Sequence, residues 1–252
     1  MQINKINNLL ELFYKQYQSK NKESIFLQSL KEPKIEYSWE AVYLNINKLS
    51  EEISKYIKKG DRCLLVSENR PEWMISDLAI MLSGGVTVPA YTTYTERDYE
   101  YIINDCTPTV IIISDEIQYK KIKSIISKND FIKKIIFFEN KENINEKLNL
   151  RIQDIFKRSN SKNQNFSDLK IQRTDMACII YTSGTQGNPK GVMLSHGGIL
   201  NNCEGANQLL KTFISKNPKF LTWLPLSHSY EHTVQFVQIV VGARVFYAES
   251  ID

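Results

Sequence analysis

Cysteine is scarce: Cys63, Cys106, Cys178 and Cys203 are widely spaced and form no C-x-x-C pair. Most fall inside apolar periodic segments, so they read as small buried hydrophobes in a reducing compartment rather than as a disulfide frame. Long apolar runs are also missing, and none approaches the ~20 residues of a membrane span. Met1 to Asn8 is polar and shows no secretory leader. The expected location is the cytoplasm, with peripheral membrane contact as an open alternative. Charge of one sign does not dominate, since 252 residues carry a net +4. Much of the lysine lies between Lys120 and Lys147, mixed with Asn and Ile. It reads mainly as solvated faces, with attraction of polyanionic ligands or anionic lipid as the alternative. No basic motif is interleaved with aromatics, which argues against a nucleic-acid partner.

What the sequence does have is Thr182-Ser183-Gly184-Thr185-Gln186-Gly187-Asn188-Pro189-Lys190-Gly191. An apolar run, Ala177 to Tyr181, precedes it and Val192-Met193-Leu194 follows. Glycine-rich backbone can bring N–H groups close to an anion. The hydroxyls add donors, and Lys190 adds a mobile positive charge. This chemistry suits a polyphosphate. The common P-loop needs G-x-x-x-x-G-K followed by Ser or Thr, whereas Lys190 sits between Pro189 and Gly191. The loop is also expected to return into a strand rather than open a helix. The plain alternative is a glycine-rich hairpin turn.

Organisation follows from periodicity. Ile6 to Gln18 reads as an amphipathic helix, Ile25 to Leu30 and Ile35 to Tyr37 as short strands. Ser38 caps a helix whose stripe is Val42, Ile46, Leu49, Ile53 and Ile57, ended by Gly60. From Cys63 strands and helices alternate: Cys63 to Val66, a helix from Pro71, Val86 to Val88, a helix capped by Thr95 and Asp98, Thr109 to Ile113, Ile117 to Ile126, and Ile135 to Phe138. The expected fold class is α/β, a mostly parallel sheet flanked by helices. Arg158 to Asp175 reads as a surface connection. A helix over Gly198 to Ile214 is expected to bury Leu200, Cys203, Ala206, Leu210 and Phe213. Phe220 to Leu224 reads as a buried strand, Thr233 to Val241 as a buried helix ended by Gly242, and Arg244 to Tyr247 as a strand. Trp39, Trp73 and Trp223 sit in core-like contexts.

The string from Tyr181 to Gly191, continuing to Ser195-His196, resembles the phosphate-binding signature of the AMP-forming acyl-CoA synthetases, the adenylating superfamily. Gly60-Asp61-Arg62 through Ser67-Glu68-Asn69-Arg70-Pro71-Glu72-Trp73 is similar to its early block. Leu224-Pro225-Leu226-Ser227-His228 with Glu231 is similar to a later one. The combination resembles the long-chain fatty acid–CoA ligase branch. The resemblance implies the N-terminal portion of the adenylate-forming fold: residues 34–157 as a first βα layer, 175–252 as the phosphate loop and the start of a second sheet. The family's adenine, ribose and Mg²⁺ motifs and its C-terminal lid domain are not found in these residues.

The implied reaction joins a fatty acid carboxylate to ATP and then to coenzyme A, and positioning and charge stabilisation carry the catalysis. Thr182, Ser183, Gly184, Thr185, Gly187 and Lys190 are the expected ATP-phosphate contacts. The candidate catalytic groups are Lys190, Thr185 and His228. His228 and Glu231 are expected to line the substrate pocket, with Glu231 either orienting His228 or facing solvent. A structural cap is the plain alternative for His228. His196 takes a structural role. Mg²⁺ is implied, with its main ligand expected outside these residues. The chain is expected to be inactive alone, as a remnant or as half of a split enzyme needing a second chain, and to expose apolar surface. A rival from another class is zinc hydrolysis, since His228-Ser229-Tyr230-Glu231-His232 fits H-x-x-E-H; no third ligand is evident, though Glu249 is available.

Overall fold

The structure, a computed structural model, describes residues 2–139, 148–159, 165–166, 169–182 and 189–248. The N-terminal helix α1 (Leu9–Ser19) starts at Asn8, whose side chain accepts from the Glu11 N–H. It precedes β1 (Ile25–Ser29), β2 (Glu36–Ser38) and α2 (Trp39–Ile53). Ser38 caps α2 by accepting from the Ala41 N–H. The alternating run is β3 (Arg62–Val66), α3 (Pro71–Leu82), β4 (Val86–Ala90), α4 (Glu96–Cys106), β5 (Val110–Ile113), α5 (Glu116–Ile126) and β6 (Lys134–Phe137). Pro71 occupies the first turn of α3, and Thr95 and Asp98 form the reciprocal capping box of α4. There follow β7 (Asn149–Arg151), α6 (Ile152–Phe156), β8 (Met176–Thr182), β9 (Lys190–Ser195), α7 (His196–Leu210), β10 (Lys219–Thr222), α8 (Ser229–Val241) and β11 (Arg244–Tyr247).

Period-two alternation splits the side chains of one sheet between two cores. Cys63, Leu65, Val110, Ile112 and Ile136 face α1, α2 and α3, while Leu64, Val66, Ile111, Ile113, Ile135 and Phe137 face α4 and α5. This sheet has seven strands in the order β7-β6-β5-β3-β4-β8-β9, parallel except for the β8–β9 pair. Helices on both faces explain why its inner strands are apolar throughout. A four-stranded sheet, β10-β11-β1-β2, shares the first core through Phe26, Leu27, Val245 and Tyr247. Phe236, Val237, Ile239 and Val240 of α8 lie in that same core. Gly242 ends α8 at φ +65°, a conformation that favours glycine. No helix among the described residues is long and apolar enough to cross a membrane.

Several expectations need correction. The sheets cut across the division at 34–157 and 175–252: β8 and β9 complete the first sheet, and β1 and β2 pair with the late strand β11 in the second. Helix α2 stops at Ile53, and Gly60 sits in the turn before β3, donating to the Gly84 carbonyl at 2.8 Å. The polar connection is not all surface, because Phe166 is fully buried against Phe13, Tyr14 and Tyr43. Phe213 is 85% exposed and Trp223 47% exposed, so neither belongs to a core. Val192, Met193, Leu209, Leu221 and Tyr230 are also exposed, and with those two they mark an apolar face around β9, β10 and the ends of α7 and α8.

Candidate functional site

The phosphate-loop candidate is carried on a hairpin stem. Strands β8 and β9 pair antiparallel, with Thr182 opposite Lys190 as the last pair before the loop. Both residues are exposed. Ser183, Gly184, Thr185 and Gly187 lie outside the described residues. The return into a strand, which separates this loop from a P-loop that opens a helix, is present. The stem is stiffened on one side by the Tyr181 hydroxyl, which donates to Asp105 of α4 at 2.5 Å. Burial and the Asp105 carboxylate push that phenol well above its usual range. On the opposite strand Gly191 lies close against Ile179 and Tyr181; a Cβ there would meet the Ile179 Cγ2 at 2.9 Å. Among the described residues Lys190 has no ion-pair partner, so its charge is free to meet an anion.

Two distant motif blocks meet at Asn69. Its Nδ2 donates to the Leu224 carbonyl at 2.8 Å and its Oδ1 accepts from the Leu226 N–H at 3.0 Å. One amide therefore grips the extended segment that ends at His228. Arg70 and Tyr37 both donate to the fully buried Glu72, at 3.0 Å each, which neutralises the only acid in the first turn of α3.

His228 is the N-cap of α8: its Nδ1 accepts from the Tyr230 N–H at 3.2 Å. The structural cap and the site role are thus compatible. Using Nδ1 as acceptor leaves the hydrogen of a neutral imidazole on Nε2, and the residue is exposed. It can donate to a carboxylate or phosphate oxygen. Glu231 departs from both expectations, since it is 4% exposed and hydrogen-bonds Thr222 rather than His228. Burial pushes its carboxyl up to about 7 against the opposing effect of Thr222. His196 is structural: its Nδ1 accepts from the Leu9 N–H at 3.4 Å, and burial pushes the imidazole down to about 4.

An open groove of ≈ 760 Å³ lies between α7 and α8. Leu194 of β9, Ala206, Leu209 and Leu210 of α7, and Val234 and Val237 of α8 give it an apolar lining. Ser229 and Tyr230, next to His228, line it as well. Its size falls in the ~300–1,000 Å³ range of small-molecule sites.

The zinc alternative is corrected by geometry. His232 is wholly buried, with Nε2 on Asp77 at 2.8 Å, whereas His228 caps the helix at the surface. Among the described residues no group of His, Cys, Asp and Glu is placed to hold a metal. Glu249 lies outside the described residues.

Comparison with known proteins agrees with this arrangement. The family model described as "AMP-binding enzyme" matches residues 14–252. The chain belongs to the AMP-binding enzyme family. This AMP-binding enzyme is 31% identical over 197 residues to "Fatty acyl-CoA synthetase A" of Dictyostelium discoideum, an alignment covering 75% of this chain and 29% of that protein. It is 28% identical to "Long chain acyl-CoA synthetase 3" of Arabidopsis thaliana, over 75% of this chain and 30% of the relative. The chain thus spans under a third of the length of these relatives. In fold it resembles a red-emitting luciferase from Phrixothrix hirtus, with a TM-score of 0.82 and 18% identity, covering 98% of this chain and 47% of the luciferase.

In this AMP-binding enzyme the structure pairs Thr182 with Lys190 and places His228 next in sequence to the groove residues Ser229 and Tyr230. It removes Glu231 to the interior. Sequence reasoning missed Asn69 as a tether and the whole groove lining. Asn69 lay inside a recognised block, but a polar residue in a turn carries no periodic signal of its partner. The α7 side of the groove was hidden because Leu209 is exposed and out of register with the buried stripe.

Proposed function

We propose that the chain supplies the phosphate-loop and acyl-groove portion of a long-chain fatty acid–CoA ligase. The observation that carries this reading is the apolar groove opening beside His228, on a scaffold where β9 runs from Lys190 to the groove residue Leu194. Those residues are about 13 Å apart along an extended strand. That separation lets a polyphosphate lie at one end of β9 and an acyl chain at the other. The names of the relatives, fatty acyl and long-chain acyl-CoA synthetases, support the same substrate class.

In the proposed reaction a fatty acid carboxylate oxygen bonds to the α-phosphorus of ATP. The bond from that phosphorus to the bridging oxygen breaks, and pyrophosphate leaves with the electron pair. The thiol sulfur of coenzyme A then bonds to the acyl carbon, its proton is lost, and AMP leaves. The carboxylate is already a nucleophile, so the first step needs no general base. Lys190 balances charge on the departing pyrophosphate, and the Nε2–H of His228 orients the carboxylate. The described residues offer no cluster of acids for Mg²⁺, and its coordination is not assigned to them.

A second reading, that another chain completes the site, is favoured by the exposed apolar face around β9 and β10. The test combines binding with exchange. The chain should bind cis-parinaric acid saturably and release it to palmitate but not to acetate. Fatty-acid-dependent ATP–pyrophosphate exchange should appear when the later sequence blocks are supplied, and vanish in Lys190→Ala. Absence of parinaric acid binding, or exchange indifferent to Lys190→Ala, would refute the reading.

A further inference from the structure

The residues left over from the zinc pattern form a buried polar cluster that the reaction above does not use. His232 Nε2 lies 2.8 Å from Asp77 Oδ2, and its Nδ1 lies 3.5 Å from Cys178 Sγ. Gln235 Nε2 donates to the same Asp77 oxygen at 3.1 Å. All four side chains are buried, and the rings of Trp73 and Phe236 meet the imidazole edge-on at 5.5 Å each. The arrangement has the form of a nucleophilic Cys–His–Asp triad. With every member buried, no substrate reaches the sulfur, so nucleophilic chemistry is excluded.

The placement of the cluster suggests its use. Asp77 is on α3, a helix that begins in the Asn-Arg-Pro-Glu-Trp block. Cys178 is on β8, one short stretch before Thr182. His232 lies one helical turn after His228, and its N–H donates to the His228 carbonyl at 2.9 Å. The three motif blocks therefore converge on one imidazole.

We propose that Asp77, His232 and Cys178 form a buried charged clasp that fixes the helix carrying His228 against the strand leading into the phosphate loop. Its members are positioning residues, and the inference rests on reading Lys190 and His228 as two ends of one ligase site. Burial alone would push the His232 imidazole down. Burial is the largest single effect, but the charge and hydrogen bond of Asp77 together with the contact to Cys178 outweigh it and hold the group up at about 10. The next ionisable group, His196, also faces Asp77 and is held neutral by burial, so it does not compete for the carboxylate. As an imidazolium, His232 donates from Nε2 to Asp77 and from Nδ1 to Cys178, tying α8 to α3 and to β8 at once. A buried pair is costly to break, because the surviving charge is left unpaired.

Two measurements on the whole chain decide the matter. Ring ¹⁵N spectra should show both His232 nitrogens protonated at pH 7.5 in the wild type, and a neutral imidazole in Asp77→Asn. A role in shape alone would not require this signature, and a neutral wild-type imidazole would overturn the proposal. In Asp77→Asn, which keeps the volume and an acceptor, hydrogen exchange in β8 and in the first turn of α8 should rise together by about tenfold or more. Helices α4 and α5, on the far face of the sheet, should keep their protection. Cys178→Ala should release β8 alone. Exchange that rises only in α3, or nowhere, would overturn the clasp. Affinity for cis-parinaric acid should fall in parallel with the loss of protection in α8. If the wild type takes up no parinaric acid, the ligase reading fails, while the spectra and the exchange still decide the clasp.

Discussion

Glu231→Gln should stabilise the protein increasingly as pH rises from about 4.5 to about 7, and by a constant amount above that. Glu231 sits in the first turn of α8, where the helix dipole favours a carboxylate, yet burial beneath that turn pushes its carboxyl up to about 7 from an ordinary 4.5. The buried Tyr247 hydroxyl, without a hydrogen-bond partner, feels both Glu231 and Glu72. The sign follows from linkage. The folded state binds this proton more tightly than the unfolded state. The favourable contribution is therefore complete below about 4.5 and is lost as pH rises through about 7. A rise of that size corresponds to about 3–4 kcal/mol at most, and relaxation around the ionised group reduces the observable effect to about 2 kcal/mol. The glutamine keeps the shape and the Thr222 contact but never ionises. Urea unfolding between pH 4 and 9 should show the two chains nearly equal at pH 4, the variant gaining between pH 4.5 and 7, and a constant lead of about 2 kcal/mol at pH 8. In melting temperature that is about 4–8 °C for a chain of this size. The opposite acid-side slope from His196 is common to both chains and cancels in the difference. Parallel pH profiles, or a variant weaker at every pH, would show that Glu231 is ionised and paired in the fold.

Three further outcomes are expected. Lys190→Ala, at an exposed strand end, should leave the melting temperature unchanged while weakening binding of inorganic pyrophosphate by about tenfold, as calorimetry can measure. Asn69→Ala removes both hydrogen bonds to the Leu224–Leu226 segment and should cost about 2 kcal/mol in chemical unfolding, with increased hydrogen exchange through residues 224–228. Because burial holds His196 neutral down to about 4, its own contribution to stability should be lost as pH drops from about 6.5 towards 4, opposing the gain from Glu231 over the same range. His196→Asn should flatten that limb of the profile, and an unchanged slope would count against the assignment.

The layered fold was legible where side-chain period and capping chemistry agree. The alternation from Arg62 to Phe137 and the Thr95–Asp98 box needed only local rules. Long-range pairing left no such trace. Nothing near Ile25 reveals that β1 will lie beside β11, because any short apolar strand could accept that register. Phe166 was hidden for a related reason: one aromatic in a polar stretch has no period, yet it fills a pocket among Phe13, Tyr14 and Tyr43. The site divides in the same way. The proposed roles of Lys190 and His228 rest on loop chemistry and on the family resemblance. The burial of Glu231 and the Asp77–His232 contact depend on how α3, α8 and β10 stack, which no spacing within the chain encodes.

The topology gives a reason for the site to lie where it does. Strand β8 is parallel to β4, so its carboxyl end at Thr182 lies at the same edge as the carboxyl ends of β3 to β6. Open α/β sheets bind ligands outside this edge, where successive loops part and helix N-termini point outward. Beyond the end of β3, Asn69 reaches out and holds the segment leading to His228. Lys190 and His228 are therefore held by different elements, the one on a hairpin stem and the other behind an amide tether. Neither support has much slack, because the stem is pinned by Tyr181 and Asp105 and the tether uses both ends of one short side chain. A ligand spanning the two must match a spacing set by the scaffold. For that reason Asn69 and Tyr181 should affect binding of a fatty acid and a polyphosphate together, whereas Lys190 affects only the polyphosphate.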